Sequence, residues 1–174
     1  MFFFDLEACP KNNEPLEVAA VDSQGETLFH SVVESGYGEP DPVNHRKGLT
    51  PAVVGRGQTR EFVEQALAKC FSGSVVVSWN LAFDRKFFPR AFANAASCVC
   101  ALLRYSPYVG NFIDEYNGFH RQSLGSAMKR IGFQWTGPPH RSLHDALATR
   151  AVWLWMLQHP ADILEAKSAS NEFF

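Results

Sequence analysis

Near its start the chain carries an apolar run, Phe2-Phe3-Phe4, that ends in Asp5-Leu6-Glu7. A run of that composition reads as a buried β-strand, and side chains two apart on a strand share a face. Asp5 and Glu7 would then stand side by side. Two carboxylates about 6 Å apart repel by roughly 3 kcal/mol at an effective dielectric near 20. Folding has no need of that cost, and a bound divalent cation is its usual remedy; the plainer alternative is a strand that frays early and leaves both acids solvated. Two further acids stand at helix starts. Asp84 follows Val75-Val76-Val77-Ser78-Trp79-Asn80, in the first turn of a helix that Asn80 could cap, where an acid also complements the helix dipole. Asp145 stands in His140-Arg141-Ser142-Leu143-His144-Asp145, where Ser142-x-x-Asp145 also resembles a capping box.

The elements that must position these acids can be read from pattern. Strands are expected at residues 2–8, 16–21, 26–33, 75–78 and 98–102, the second and third joined through a hairpin at Ser23-Gln24-Gly25. Residues 35–57, rich in Gly and Pro, read as a long functional loop, and residues 105–121 as a second. A helix is expected over 59–71 with Phe62, Ala66, Leu67 and Cys70 inward, and another over 81–95. Ser123 would cap a short helix with Leu124, Ala127, Met128 and Ile131 inward, closed by Gly132. The last helix would begin after Ser142, end near His159-Pro160, and pack a Leu143, Leu147, Ala151, Leu154 stripe on the sheet. A three-strand meander followed by alternating helices and strands predicts an α/β fold with a mixed five-stranded central sheet and flanking helices. With strand one central, Asp84 at the end of its neighbour and Asp145 on the last helix converge on Asp5 and Glu7, at the strand ends where such sheets carry their sites. Four carboxylates suffice for two hard, oxygen-seeking cations, an arrangement that suits phosphoryl transfer.

At 174 residues the chain fits one domain spanning 1–174, and 46% hydrophobic with 13% aromatic content marks it as globular. No apolar run reaches membrane-spanning length, and no basic segment precedes the phenylalanines as in a signal peptide. Cys9, Cys70, Cys98 and Cys100 lack zinc spacing and read as reduced thiols of a cytoplasmic protein. A net charge of −2 argues against a nucleic-acid binder, an argument that weakens if the acids hold two divalent ions.

Asp5-x-Glu7, Asn80-x-x-Phe83-Asp84 and His140-x4-Asp145 resemble, in order and approximate spacing, the three motifs of the DEDD 3′–5′ exonucleases. Within that superfamily the chain is similar to the DEDDh branch, which includes the proofreading, epsilon-type (DnaQ-like) subunits of bacterial DNA polymerases. His45-x-x-Gly48-Leu49-Thr50 resembles a short segment between the first and second motifs. The likeness runs from residue 2 to about 156. It implies a ribonuclease H-like fold and two divalent cations, Mg²⁺ or Mn²⁺. Asp5, Glu7 and Asp145 would hold the nucleophile-side ion, and Asp5 with Asp84 the second. His140 would be the general base and not a ligand, a role its intrinsic pKa suits. The sister branch has Tyr where this chain has Arg141, and His144 is the competing base candidate, facing another way on its helix. The chain departs from many relatives in Ala8-Cys9-Pro10, which replaces threonines and a glycine, and in Trp79.

By the same resemblance Leu6, Ala8, Asn80 and Phe83 would meet the terminal nucleotide, with Leu49 wedged against its base or simply packed in the loop. Arg85, Lys86 and Arg90 could meet phosphates or form a solvated face. Tyr105, Tyr108, Phe112, Tyr116 and Phe119 could stack bases or close the core, and Glu172-Phe173-Phe174 could dock a partner or fray. The expected activity is metal-dependent 3′–5′ hydrolysis from the 3′ end of single-stranded or frayed nucleic acid, DNA favoured, releasing nucleoside 5′-monophosphates. The partners would be a single-stranded DNA or RNA 3′ end and a polymerase or repair protein, with no membrane. The alternatives are an exoribonuclease using the same site, or a non-catalytic polymerase-accessory or nucleic-acid-binding module.

Overall fold

The computed structural model describes residues 1–9, 11, 13–35, 48–110, 112–113 and 118–160. Its centre is a mixed five-stranded sheet in the order β3-β2-β1-β4-β5, built from β1 (Phe2–Ala8), β2 (Pro15–Asp22), β3 (Thr27–Val32), β4 (Val75–Ser78) and β5 (Ser97–Cys100). β1 is antiparallel to β2 and parallel to β4, and β4 is parallel to β5. The expected meander and central first strand are both present. The β2–β3 turn closes through Asp22, whose Oδ1 accepts the Gln24 and Glu26 amides, with Gly25 at φ 92°.

Alternation along β1 divides the core. Phe4 and Leu6 enter one face with Val18, Ala20 and Val76, packed against Val63, Leu67 and Phe71 of α2 (Arg60–Phe71) and Ala91 and Phe92 of α4 (Pro89–Ala93). Phe3 enters the other with Ala19, Val21, Val77 and Trp79, under α7 (Ser142–Gln158). Asp5 and Glu7 follow Phe3 onto that second face. A short α1 (Pro51–Val54), capped by Thr50, lies inside the segment expected to be loop. α3 (Leu81–Asp84), α5 (Ala101–Tyr105) and α6 (Leu124–Arg130) complete the helices of the described residues, with a 3₁₀ turn at Ser106–Tyr108 and a small hairpin of β6 (Phe112–Ile113) and β7 (Gly118–Phe119). Ser123 Oγ accepts the Ser126 amide at 3.1 Å, the expected cap, and Gly132 follows at φ 68°.

Several expectations change. The helix over 81–95 is broken into α3 and α4, because Pro89 withholds an amide and Phe88 before it adopts φ −133°, ψ 59°. The strand expected over 98–102 ends at Cys100, where Leu102 N turns to donate to Trp79 O at 3.1 Å. Residues 105–121 are not all loop: Tyr105 and Tyr108 are buried in the core, and Phe112 and Phe119 pair edge-on at 5.2 Å across the hairpin. The inner face of α2 is Val63, Leu67 and Phe71, while Phe62 is 52% exposed. On α7 the buried residues are Ser142, Asp145, Ala146, Ala148, Thr149, Ala151, Val152 and Met156, so Ala151 of the expected stripe is buried while Leu143, Leu147 and Leu154 are half-buried. Asn80 sits at the cap position of α3 without a side-chain capping bond, and Arg141, not Ser142, precedes α7. The reassigned face of α2 yields a direct test. Phe71→Ala should cost about 3–5 kcal/mol in urea unfolding, as for other buried phenylalanines. Phe62→Ala should stay within about 0.5 kcal/mol.

Candidate active site

β1, β4 with α3, and α7 each deliver an acid to one edge of the sheet. Glu7 is 8% exposed, Asp84 3% and Asp145 9%, whereas Asp5 keeps partial access to solvent. β4 ends at Ser78, beside Phe4 in the parallel register, and the chain turns at once into α3, which seats Asp84 next to β1. The Asp84 carboxylate accepts a hydrogen bond from Ser78 Oγ. α7 crosses the same face of β1 and β2 and brings Asp145 from above.

The electrostatics confirm the crowding. Burial raises the Asp5 carboxyl well above the usual range, and the charges of Asp84, Asp145, Glu7 and Glu17 raise it further. Burial also pushes Asp84 up to about 7; the Ser78 hydrogen bond opposes the shift and the Glu7 charge adds to it. Ligand atoms of Glu7, His140 and Asp145 lie within 4.8 Å of one another. His140 is exposed, at φ 63°, and its amide donates to Asp145 Oδ1 at 3.0 Å. In place of a capping box, the Asp145 carboxylate accepts the His140 amide and the Ser142 amide donates to Glu17. A crowded set of hard carboxylate oxygens with one imidazole fits a divalent cation. The His140 ring lies within reach of the Glu7 and Asp145 carboxylates.

His144 faces elsewhere. Its ring packs so closely on Gly137 that a Cβ there would come within 2.2 Å, and it lines a cavity of about 60 Å³ with Met128, Trp135, Leu147 and Arg150. Leu6 is buried in the opposite core layer and Ala8 packs against that layer, so both turn from the cleft and can offer it only backbone. Leu49 is fully buried with Cys9, Leu16 and Val54, which is the packed-loop alternative and not a base wedge. Asn80 is exposed, and Phe83 is half-buried with its ring 5.1 Å from that of Phe87. Arg85, Lys86 and Arg90 are exposed, with Lys86 Nζ 5.9 Å from the Phe83 ring centre. His45, Tyr116 and the Glu172-Phe173-Phe174 end lie outside the described residues.

One residue was missed. Glu17 on β2 is completely buried and pairs directly with Glu7 across the strands. Arg141 Nε donates to its Oε2 at 2.9 Å and Nη2 to its Oε1 at 2.5 Å. The Ser142 amide reaches Oε2 at 3.0 Å, and His30 Nε2 lies 3.0 Å from Oε1. Its signal was available in Leu16-Glu17-Val18-Ala19-Ala20-Val21, an acid inside a continuous apolar run that offers it no solvent face.

The family model described as Exonuclease (RNase_T) matches residues 2–153. The chain therefore belongs to this exonuclease family and, with it, to the DEDD superfamily. Solved structures of similar fold include a full-length 3′-exonuclease, at 17% identity and a TM-score of 0.56 over 92% of this chain and 61% of that one. A second is a 3′-exonuclease in 3′-end-specific recognition of a histone mRNA stem-loop, at 17% identity and a TM-score of 0.57 over 90% of this chain and 63% of that one. A third is S. pombe Pop2p in an Mg²⁺- and Mn²⁺-bound form, at 10% identity and a TM-score of 0.63 over 93% of this chain and 84% of that one. The chain thus spans about three-fifths of the first two structures. Among curated proteins, no sequence matches it. Together the matches establish the ribonuclease H-like fold. Among the described residues no helix is long and apolar enough to cross a membrane, and all four cysteines are free thiols.

The raised carboxyls set the sign of a pH dependence. Asp84 binds its proton more tightly folded than unfolded, so between about pH 4 and 7 the native state holds the extra proton and stability falls as pH rises. Metal-free protein should therefore unfold at lower urea concentration at pH 7.5 than at pH 5. Asp84→Asn should flatten that slope.

Proposed function

We propose that the protein is a metal-dependent 3′–5′ exonuclease that removes nucleoside 5′-monophosphates from a single-stranded or frayed 3′ end. The observation that carries this reading is the meeting of Asp5, Glu7, Asp84 and Asp145 from three separate elements at one sheet edge, with His140 beside them. Family membership supports the reaction class. Asp5, Glu7 and Asp145 would hold one divalent cation, Mg²⁺ or Mn²⁺, and Asp5 with Asp84 a second. Such ions supply positive charge that makes an attacking water more acidic and offsets charge on the departing oxygen.

The chain's own groups account for the rest. His140 is exposed at the rim and would accept the water's proton, while the bond from its amide to Asp145 fixes where the imidazole stands. The backbone of Leu6 and Ala8 and the exposed Asn80 would meet the terminal nucleotide, with Phe83 behind them. The DEDDh assignment rests on His140 and on Arg141 in place of the tyrosine of the sister branch. A complete set of acids disfavours a non-catalytic module. DNA is the favoured substrate, with a polymerase or repair protein as the natural partner and, given four free thiols, the cytoplasm as the setting. RNA is the second reading, supported by the likeness to a 3′-exonuclease that recognises a histone mRNA stem-loop.

Digestion of matched DNA and RNA single strands with Mg²⁺ or Mn²⁺ tests the proposal. A linear strand with a free 3′-hydroxyl should shorten stepwise, and a circle or a 3′-blocked strand should survive. Asp84→Ala should abolish turnover; circle cutting at the linear rate, lost in Asp84→Ala, would instead reveal an endonuclease. His140→Ala should lower turnover by about 10²- to 10⁴-fold, with His144→Ala mild. Mn²⁺ should raise the melting temperature of the parent far more than that of Asp5→Asn.

A further inference from the structure

Glu17 has no part in the scheme above, yet it is the most deeply buried acid among the described residues. Its register partner is Glu7, and directly opposed residues share a face with Cβ atoms about 5 Å apart. Like charges so placed destabilise a sheet. A buried carboxylate without partners would take up a proton. Burial does push the Glu17 carboxyl up, but the bonds from Arg141, His30 and the Ser142 amide outweigh it and hold the group down at about 2. These bonds seat the Glu17 carboxylate beneath the start of α7.

What it grips decides its consequence. Arg141 and Ser142 are the two residues directly after His140, and Asp145 N donates back to Arg141 O at 3.0 Å to open the helix. His140 itself stands in the left-handed region at φ 63°, which a non-glycine residue keeps only when its surroundings hold it there. The Arg141 guanidinium also feels the charge of Glu7, so the residue that Glu17 grips lies close to the acid cluster. Glu17 offers both oxygens to the arginine fork and one of them to the helix amide, a three-donor grip from one side chain.

We propose that Glu17 is a positioning residue for the nuclease site: through Arg141 and the Ser142 amide it fixes the His140 turn and the first turn of α7, and so seats His140 and Asp145 against Glu7. The inference rests on the metal-dependent reading above. Glu17 itself touches neither cation nor substrate; it occupies the position of an outer-shell partner, whose loss typically costs about 10- to 100-fold in metal affinity or activity.

The test uses the full chain with Glu17→Gln, Arg141→Met and the double variant. In metal-free protein, NMR-detected hydrogen exchange at the His140 and Ser142 amides should be faster in Glu17→Gln than in the parent. Mn²⁺ affinity by calorimetry and kcat should each fall about 10- to 100-fold, with KM for a DNA strand nearly unchanged. Because Glu17 acts through Arg141, the double variant should bind Mn²⁺ no more weakly than Glu17→Gln alone. Should Glu17→Gln fail to fold, Arg141→Lys keeps the charge but loses the two-pronged contact, and should show the same loss of Mn²⁺ affinity. A folded Glu17→Gln or Arg141→Lys with parental Mn²⁺ affinity and kcat, only melting earlier, would overturn the inference and leave Glu17 a structural brace. A parent that neither binds Mn²⁺ nor shortens DNA or RNA would overturn the metal-dependent reading, and this inference with it. The two failures appear in different proteins.

Discussion

Mutual repulsion among carboxylates governs this structure. Asp5 stands within the electrostatic reach of Asp84, Asp145, Glu7 and Glu17, all gathered on the α7 side of the central strands. Each acid is accommodated differently. Asp84 takes the Ser78 hydroxyl and retains its proton to about pH 7. Asp145 takes the His140 amide, and Glu17 takes an arginine fork and a helix amide. Asp5, in the middle of the group, has its carboxyl raised well above the usual range by burial and then by the charges of its neighbours. The topology follows from this need: a central β1 with a parallel neighbour ending at α3 on one side and an antiparallel neighbour on the other is what brings acids from β1, β2 and α3 together beneath α7.

The parts of this arrangement that a sequence displays are those with a strict period or a local rule. Alternation in Phe3-Phe4-Asp5-Leu6-Glu7 fixes which face each side chain takes, and the two core layers obey it. Ser123 as a cap and the turn around Gly25 likewise depend on residues only a few positions apart. The helix faces were less legible. Apolar residues fall on every side of α7, so spacing does not choose between a leucine stripe and the small residues Ala146, Ala148 and Thr149 that let the helix lie close on the sheet. On α2 the hydrophobic Phe62 and Phe71 compete for the inner face, and packing against Phe4 and Phe92 selects Phe71.

The site divides along the same line. Its four motif acids and His140 were legible because their types and order are unusual together. Glu17 was not singled out, because its meaning lies in a partner 124 residues away. Leu49 shows the complement: its neighbours in sequence allow either a base wedge or a packed loop residue, and it fills a small cluster with Cys9, Leu16 and Val54. A motif names which side chains are present, and only packing says which way each one turns.

Burying an ion pair is a costly way to stabilise a fold, since desolvation consumes much of the attraction between the charges. An apolar pair at positions 17 and 141 would fill the same space at less cost. It could not, however, hold the Ser142 amide, nor place a guanidinium charge close to Glu7. The cluster therefore trades stability for a defined geometry. Burial and crowding raise the proton affinity of Asp5 and Asp84, so a proton and a bound cation would compete for one set of oxygens. Glu17 stays outside that competition because its charge is already matched by Arg141. On that reading, a fixed ion pair beside an exchangeable one would let the cleft change its charge without losing the turn at His140.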